Sequence, residues 1–315
     1  ARLGHELIVQ RWEPGDISTG LQEKARRARY GLMGRVCRAR AVPTLVTAHH
    51  DDDQAETVLM RLQRGSGWRG AAGMAERVYA PVWPELAGIR LVRPALGTSR
   101  EALHRHINGQ RYIDDPSNRD ATFDRVRARA ELFRKPALRH DMIALSREMR
   151  RGLEVDRTHM ARQLRGLHLT HEGLLTVPRQ IDPHTLSRLA PIVGGTEGPG
   201  RETRIADKMD ALASRRVVSI GHGCLARWNG DALTLSRDPV AMQGRRDGNL
   251  AASAVRTEIT RQPAVWDGRF LVSGEGGLIR PERRGQHVGY RVLYGRNVRV
   301  ENLVEARLEA LLTGM

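Results

Sequence analysis

The chain has 315 residues, a formal net charge of +16 and 40% hydrophobic residues, enough apolar material for two or three domains and too much for a disordered chain. With aromatics at only 4%, a broad platform of stacked rings for single-stranded nucleic acid is excluded. Two distant cysteines, Cys37 and Cys224, rule out a disulfide framework or a Cys-rich zinc or iron–sulfur site, and no apolar run approaches the roughly 20 residues that span a bilayer.

The positive balance points to a polyanionic partner, nucleic acid first, because clustered cations release phosphate counterions on binding. All but three of the 52 basic residues are arginines, a preference that a GC-rich genome also produces. The cysteines read as reduced core thiols of a cytoplasmic protein. The N-terminus has neither a signal-peptide core nor an initiator Met, so the chain is expected to begin within a longer protein.

In chain order, residues 5–12 (HELIVQRW) read as a strand ended by Pro14-Gly15. Ser18 or Thr19 can cap a helix running to about Ala41, with Leu21, Ala25, Ala28, Leu32, Val36 and Ala39 on one face. The bounded apolar run Leu45-Val46-Thr47-Ala48 fits a buried parallel strand, and a helix from about Asp53 to Arg64 follows it. Helix, strand and helix in this order imply a parallel sheet with right-handed crossovers. A glycine-rich loop covers 65–73, Thr98 or Ser99 caps a further helix, and 114–118 form a loop. Residues 124–167 are helical and basic with a break at Pro136, and 194–200 (GGTEGPG) form a linker. Beyond it, turn signals at Gly221-His222-Gly223 and Asn229-Gly230 separate short strands, 266–270 read as a hairpin, and a helix from about Val300 to Leu312 closes the chain.

Chemistry concentrates in residues 48–57 (AHHDDDQAET), at the junction of a buried strand and a helix, the usual place for ligands in open α/β sheets. One Asp at a helix start is capping chemistry. Two histidines and three aspartates in succession exceed that need, since packed like charge is destabilising. Asp53 and Glu56, three apart, share one face. Such a cluster suits a divalent metal or a cationic amine, and spacing does not choose between them. Arg125, Arg127 and Arg129 alternate, so they cannot all lie on one helix face, and arginine forks suit phosphate oxygens. The loop Arg64-Gly65-Ser66-Gly67 is a weaker phosphate signal.

Together these segments resemble the tRNA(Ile)-lysidine synthetases of the PP-loop ATP pyrophosphatase superfamily. The resemblance rests on Gly20-Leu21-Gln22 with Ala25 to Tyr30, on 47–57 (TAHHDDDQAET) and 64–74 (RGSGWRGAAGM), and on Arg93-Pro94, Ser99-Arg100, 115–118 (DPSN) and Arg125 to Arg129. It is specific over about residues 18–130 and looser beyond. It implies ATP and Mg2+ as cofactors, and as partners free lysine and an isoleucine tRNA with a CAU anticodon, with no membrane and in some members a homodimer. It also implies the reaction: adenylation of the wobble cytidine at its C2 oxygen, then attack by the lysine ε-amine with loss of AMP. By motif match His49, Asp53 and Glu56 would be catalytic, with Asp53 also a metal ligand. Arg64, Ser66, Arg100, Asp115, Asn118, Arg125 and Arg127 would bind substrate or phosphate. Two departures stand out: the family's serine–glycine–glycine P-loop is not found, which leads to the expectation of an N-terminal truncation, and Val126 replaces an Asn between the arginines.

The expected fold is therefore α/β: a Rossmann-like PP-loop parallel sheet, N-terminally incomplete, over 1–135, a helical linking and tRNA-binding region over 136–200, and a small α+β, strand-rich tRNA-binding domain over 201–315. Two alternatives stay open, a metal-dependent phosphoesterase and a non-catalytic tRNA-binding remnant of the ligase. A tRNA thiolase is disfavoured because the cysteines that sulfur transfer needs are absent.

Overall fold

A computed structural model describes residues 4–13, 20–82, 85–107, 122–169, 174–196, 198, 200, 202–212, 215–238, 264–266, 270–272, 278–281 and 298–313. The chain divides into two compact units, one of residues 44–78 and 90–159, the other of 1–43, 79–89 and 160–315.

The first unit contains the expected parallel strand pairing. Strand β1 (Thr44–Val46) pairs in parallel with β3 (Arg90–Val92), Leu45 opposite Leu91, and β2 (Arg77–Tyr79) completes the order β1-β3-β2. Neither β2 nor β3 stands out in the sequence, because three residues are too few to show a period. Between β1 and β2 lie α2 (Asp51–Gln63) and the short α3 (Trp68–Ala71). After β3 come α4 (Arg100–Ile107), α5 (Asp124–Arg134) and α6 (Pro136–Gln163). Ser99 is the α4 cap, its Oγ accepting from the Ala102 N–H at 3.1 Å. Pro136 opens α6, where its missing N–H costs nothing. Ala55 and Leu59 of α2, Ala128 and Leu132 of α5 and Ile143 of α6 share one buried cluster.

In the second unit, α1 (Leu21–Ala39) starts after a left-handed Gly20, φ 70°; the expected caps Ser18 and Thr19 lie outside the described residues. Glu85 accepts a two-pronged pair from Arg27 at 3.1 and 3.2 Å. Its carbonyl lies so close to Gly34 that a Cβ there would collide with it. The strand expected at 5–12 is not formed: described residues 4–13 are irregular and mostly exposed, and Glu6 pairs with Arg40 at 2.5 Å. A strand is stabilised by its pairing, and residues 4–13 pair with no strand among the described residues.

The remainder of this unit is antiparallel. Strands β4 (His168–Leu169), β5 (Leu175–Pro178), β6 (Val217–Gly221), β7 (Cys224–Asn229) and β8 (Ala232–Arg237) form a sheet of order β4-β5-β8-β7-β6. Helices α7 (Pro183–Gly194), α8 (Glu202–Leu212) and α9 (Val300–Thr313) supply Leu186, Leu189, Ile205 and Val304 to its core, against Leu175, Cys224 and Leu235. A second sheet has the order β12-β11-β10-β9, where β9 is Ala264–Trp266, β10 Phe270–Val272, β11 Leu278–Pro281 and β12 Val298–Arg299. Antiparallel β9 and β10 are the two arms of the hairpin read at 266–270.

Candidate active site

The acidic run lies where β1 gives way to α2, entirely within the first unit. Thr47 donates its backbone N–H to the Val92 carbonyl at 2.9 Å, continuing the strand. Its Oγ1 is 2.9 Å from His49 Nδ1, which orients the imidazole at the strand end.

Helix α2 begins two residues earlier than its sequence suggests, because His50 is the N-cap. Its Nδ1 accepts from the Asp53 N–H at 3.4 Å while Asp53 Oδ2 accepts from the His50 N–H at 3.0 Å. This reciprocal capping box puts Asp51, Asp52 and Asp53 in the first turn, where the unsatisfied N–H groups favour anions.

The four carboxylates have different surroundings. Glu56 is 2% exposed and takes Arg125 Nε at 2.7 Å and Arg129 Nε at 2.6 Å. Arg125 also reaches Asp53 Oδ1 through Nη2 at 2.8 Å, so one guanidinium bridges the two acids. Asp52 takes Arg139 Nη1 at 2.5 Å and the Arg100 backbone N–H at 3.0 Å, tying α2 to the starts of α4 and α6. Burial pushes the Asp52 carboxyl up, but those two donors overcome it and hold it below the ordinary carboxylate value. Asp51 is pushed the other way, by burial first and by the Asp52 charge second. Its Oδ1 is sealed from solvent with no hydrogen-bond partner among the described residues. Ligand atoms of His50, Asp51 and Asp52 lie within 4.8 Å of one another, a donor set that suits a divalent cation or an ammonium group.

The arginine run divides by helix face. Arg125 and Arg129, one turn apart on α5, face Glu56, whereas Arg127 turns outward to Asp124 and the Thr122 carbonyl. Arg64 joins it at Asp124, 2.7 Å away. Arg125 and Arg127 are therefore not brought together. Arg100 meets the acidic cluster only through its backbone, its Nε lying 3.2 Å from His104 Nε2. Asp115 and Asn118 lie outside the described residues.

Ser66 begins the glycine loop, its N–H on the Arg61 carbonyl at 2.9 Å. Sequence reasoning did not single out the side chains that hold this loop. Gln54, 1% exposed, donates to the Met74 carbonyl at 3.0 Å and to Ser146 Oγ at 2.8 Å, and accepts from the Met74 N–H at 2.7 Å. Arg61 Nη1 donates to the carbonyls of Gly70 and Gly73 at 3.2 and 2.7 Å. Arg139 was missed as well, since nothing local relates it to Asp52. Gln54 carries the one signal that could have been read: an amide on the buried side of an amphipathic helix needs partners.

A PP-loop domain description matches residues 1–136. The tRNA(Ile)-lysidine synthase of Methylobacterium nodulans is 34% identical over 267 residues, covering 77% of this chain and 76% of that protein. The same enzyme of Ruegeria pomeroyi is 33% identical over 285 residues, 86% of this chain and 63% of that protein. That of Hyphomonas neptunium is 46% identical over 110 residues, 34% of this chain and 30% of that protein. The chain thus spans about two thirds or less of the length of some relatives that it matches.

Proposed function

Because the chain belongs to the tRNA(Ile)-lysidine synthase family, we propose that it is an ATP-dependent carbon–nitrogen ligase that joins free lysine to C2 of the wobble cytidine in an isoleucine tRNA with a CAU anticodon. The C2 oxygen attacks the α-phosphorus of ATP and pyrophosphate leaves. The ε-amine, having lost a proton, then adds at C2, and AMP departs with the C2 oxygen. Family membership sets aside the phosphoesterase alternative.

The observation that carries the site assignment is Asp51. Asp52, Asp53 and Glu56 are each countered by arginine, while Asp51 has a sealed oxygen with no hydrogen-bond partner among the described residues, beside His50 and Asp52. A buried acceptor of this kind costs free energy until a donor arrives, and a cation is the donor that the cluster fits. In this reading Asp51 and Asp52, with Asp53 and Glu56 behind them, receive the lysine ammonium or Mg2+. Mg2+, when bound, would supply positive charge to the phosphates of ATP. His49, oriented by Thr47, assists at the adenylated carbon. Arg64, Ser66, Arg127 and the guanidinium of Arg100 serve phosphate groups, and Asp115 and Asn118 are assigned to substrate by motif match alone.

The test is incorporation of labelled lysine into a CAU-anticodon isoleucine tRNA transcript with ATP, using the 315-residue chain and any longer form that its gene encodes. Incorporation by either supports the ligase. Tight tRNA binding with no incorporation by either overturns it in favour of a binding protein.

A further inference from the structure

In a chain this poor in aromatics, Trp68 is placed against the usual logic. It opens α3 inside the glycine loop and is 42% exposed, the most open tryptophan among the described residues. A tryptophan that only filled a core would not stand in solvent.

The ring is also fixed. Arg69 lies over it, 4.6 Å from guanidinium carbon to ring centroid. That guanidinium is held by both carboxylate oxygens of Asp156 on α6, at 2.8 Å each. Gly152, one turn before Asp156, lies against the ring edge, where a Cβ would come within 3.1 Å of it. Val155, three residues after Gly152 on α6, is 72% exposed. The loop beneath is clamped by Gln54 and Arg61.

We propose that Trp68 is a preformed stacking platform for an unpaired base of the RNA substrate; this rests on the tRNA-ligase reading above. A fixed ring binds without first losing rotamer freedom, so its contact is not offset by ordering. The neighbouring charge selects the partner: Arg69 lies over the ring, and Arg151, next to Gly152 in sequence and paired with Glu148, keeps 80% of its side chain exposed. Aromatic surface edged by guanidinium groups complements a base with its phosphate better than an apolar peptide. Single-ring stacking is also tolerant of base identity, so it would position the anticodon loop without reading it.

The test compares wild type, Trp68→Phe and Trp68→Ala for binding of an unmodified CAU-anticodon tRNA transcript over a salt series. Trp68→Phe should bind within about three-fold of wild type and Trp68→Ala roughly ten-fold more weakly, in line with the loss of one stacked base. The log–log salt slope should be the same for all three, because stacking releases no counterions. As a check independent of folding in the variants, tRNA should quench the emission that wild type has and Trp68→Phe lacks, and a fully paired RNA duplex should not. Trp68→Ala binding as wild type does, or tRNA leaving that emission unchanged, would overturn the platform. Lysine incorporation on the same preparations separates the two readings: quenching without incorporation by the 315-residue chain or any longer form that its gene encodes sinks the ligase alone.

Discussion

Glu56 is nearly enclosed and has two arginines on one carboxylate. Replacing Arg125 or Arg129 singly by Met leaves the other guanidinium in place, and each change should cost about 1–2 kcal/mol in urea unfolding. Replacing both strands a buried charge, so the double variant should lose on the order of 3–5 kcal/mol, more than the two single losses combined. Adding Glu56→Leu to the double variant should recover most of that loss, whereas no recovery would mean that the arginines act elsewhere. Asp51 and Asp52 should respond oppositely to pH. Asp51 is raised in the folded protein, so its ionisation opposes folding from the ordinary aspartate value upward. Asp51→Asn should therefore stabilise the protein at pH 7, the gain vanishing in acid where both states are protonated, while cation binding and lysine incorporation fall. Asp52 is lowered, so its contribution is present above the ordinary aspartate value and lost as pH falls through its folded value. Asp52→Asn should destabilise at pH 7. Unfolding at pH 7 and pH 3 checks both signs.

At the scale of elements, the glycine loop depends on one amide. Gln54 uses both N–H groups and its oxygen on Met74 and Ser146, and the Ser146 hydroxyl donates a hydrogen bond to the Ala72 carbonyl at 2.9 Å. Gln54→Leu, similar in volume, should cost about 1–3 kcal/mol for each buried group left unpaired and loosen the loop and Trp68 with it. The readouts are thermal unfolding and faster amide exchange over 65–74. Gly73→Ala should be costly too, because φ is 69° there and the new Cβ would meet the Gln54 amide at 2.7–2.8 Å. Helix α7 shows what could be read and was not. Asp182 caps it through the Thr185 N–H at 2.6 Å, Pro183 follows, and Gly195 closes it at φ 72°. All three signals stand in the sequence. The acid–arginine pairing was half legible: the spacings of 53 with 56 and of 125 with 129 each define a helix face, but only tertiary structure brings the faces together. Nothing local shows that Arg139 meets Asp52.

For the whole molecule, the parallel pairing of β1 and the run of antiparallel strands after Arg216 follow from bounded apolar runs and turn residues. The interleaving of the two units does not follow from them, because it depends on where segments such as 79–89 pack, over separations that no local pattern spans. The same distinction governs the net charge of +16. If every surplus cation met a phosphate, the log–log salt slope of tRNA binding would be about −14, using 0.9 per neutralised phosphate. Arg69, Arg125, Arg129 and Arg139 are paired with acids inside the first unit, pairs that the net charge already counts as neutral, so the slope is set by how much of the remaining surplus one RNA can touch. We expect a slope of roughly −5 to −8, that is, about six to nine phosphates, measured by filter binding between 50 and 400 mM salt. A slope near −14 would mean that the RNA engages the whole surplus charge with the internal pairs intact, and only a steeper slope would require those pairs to open on the RNA.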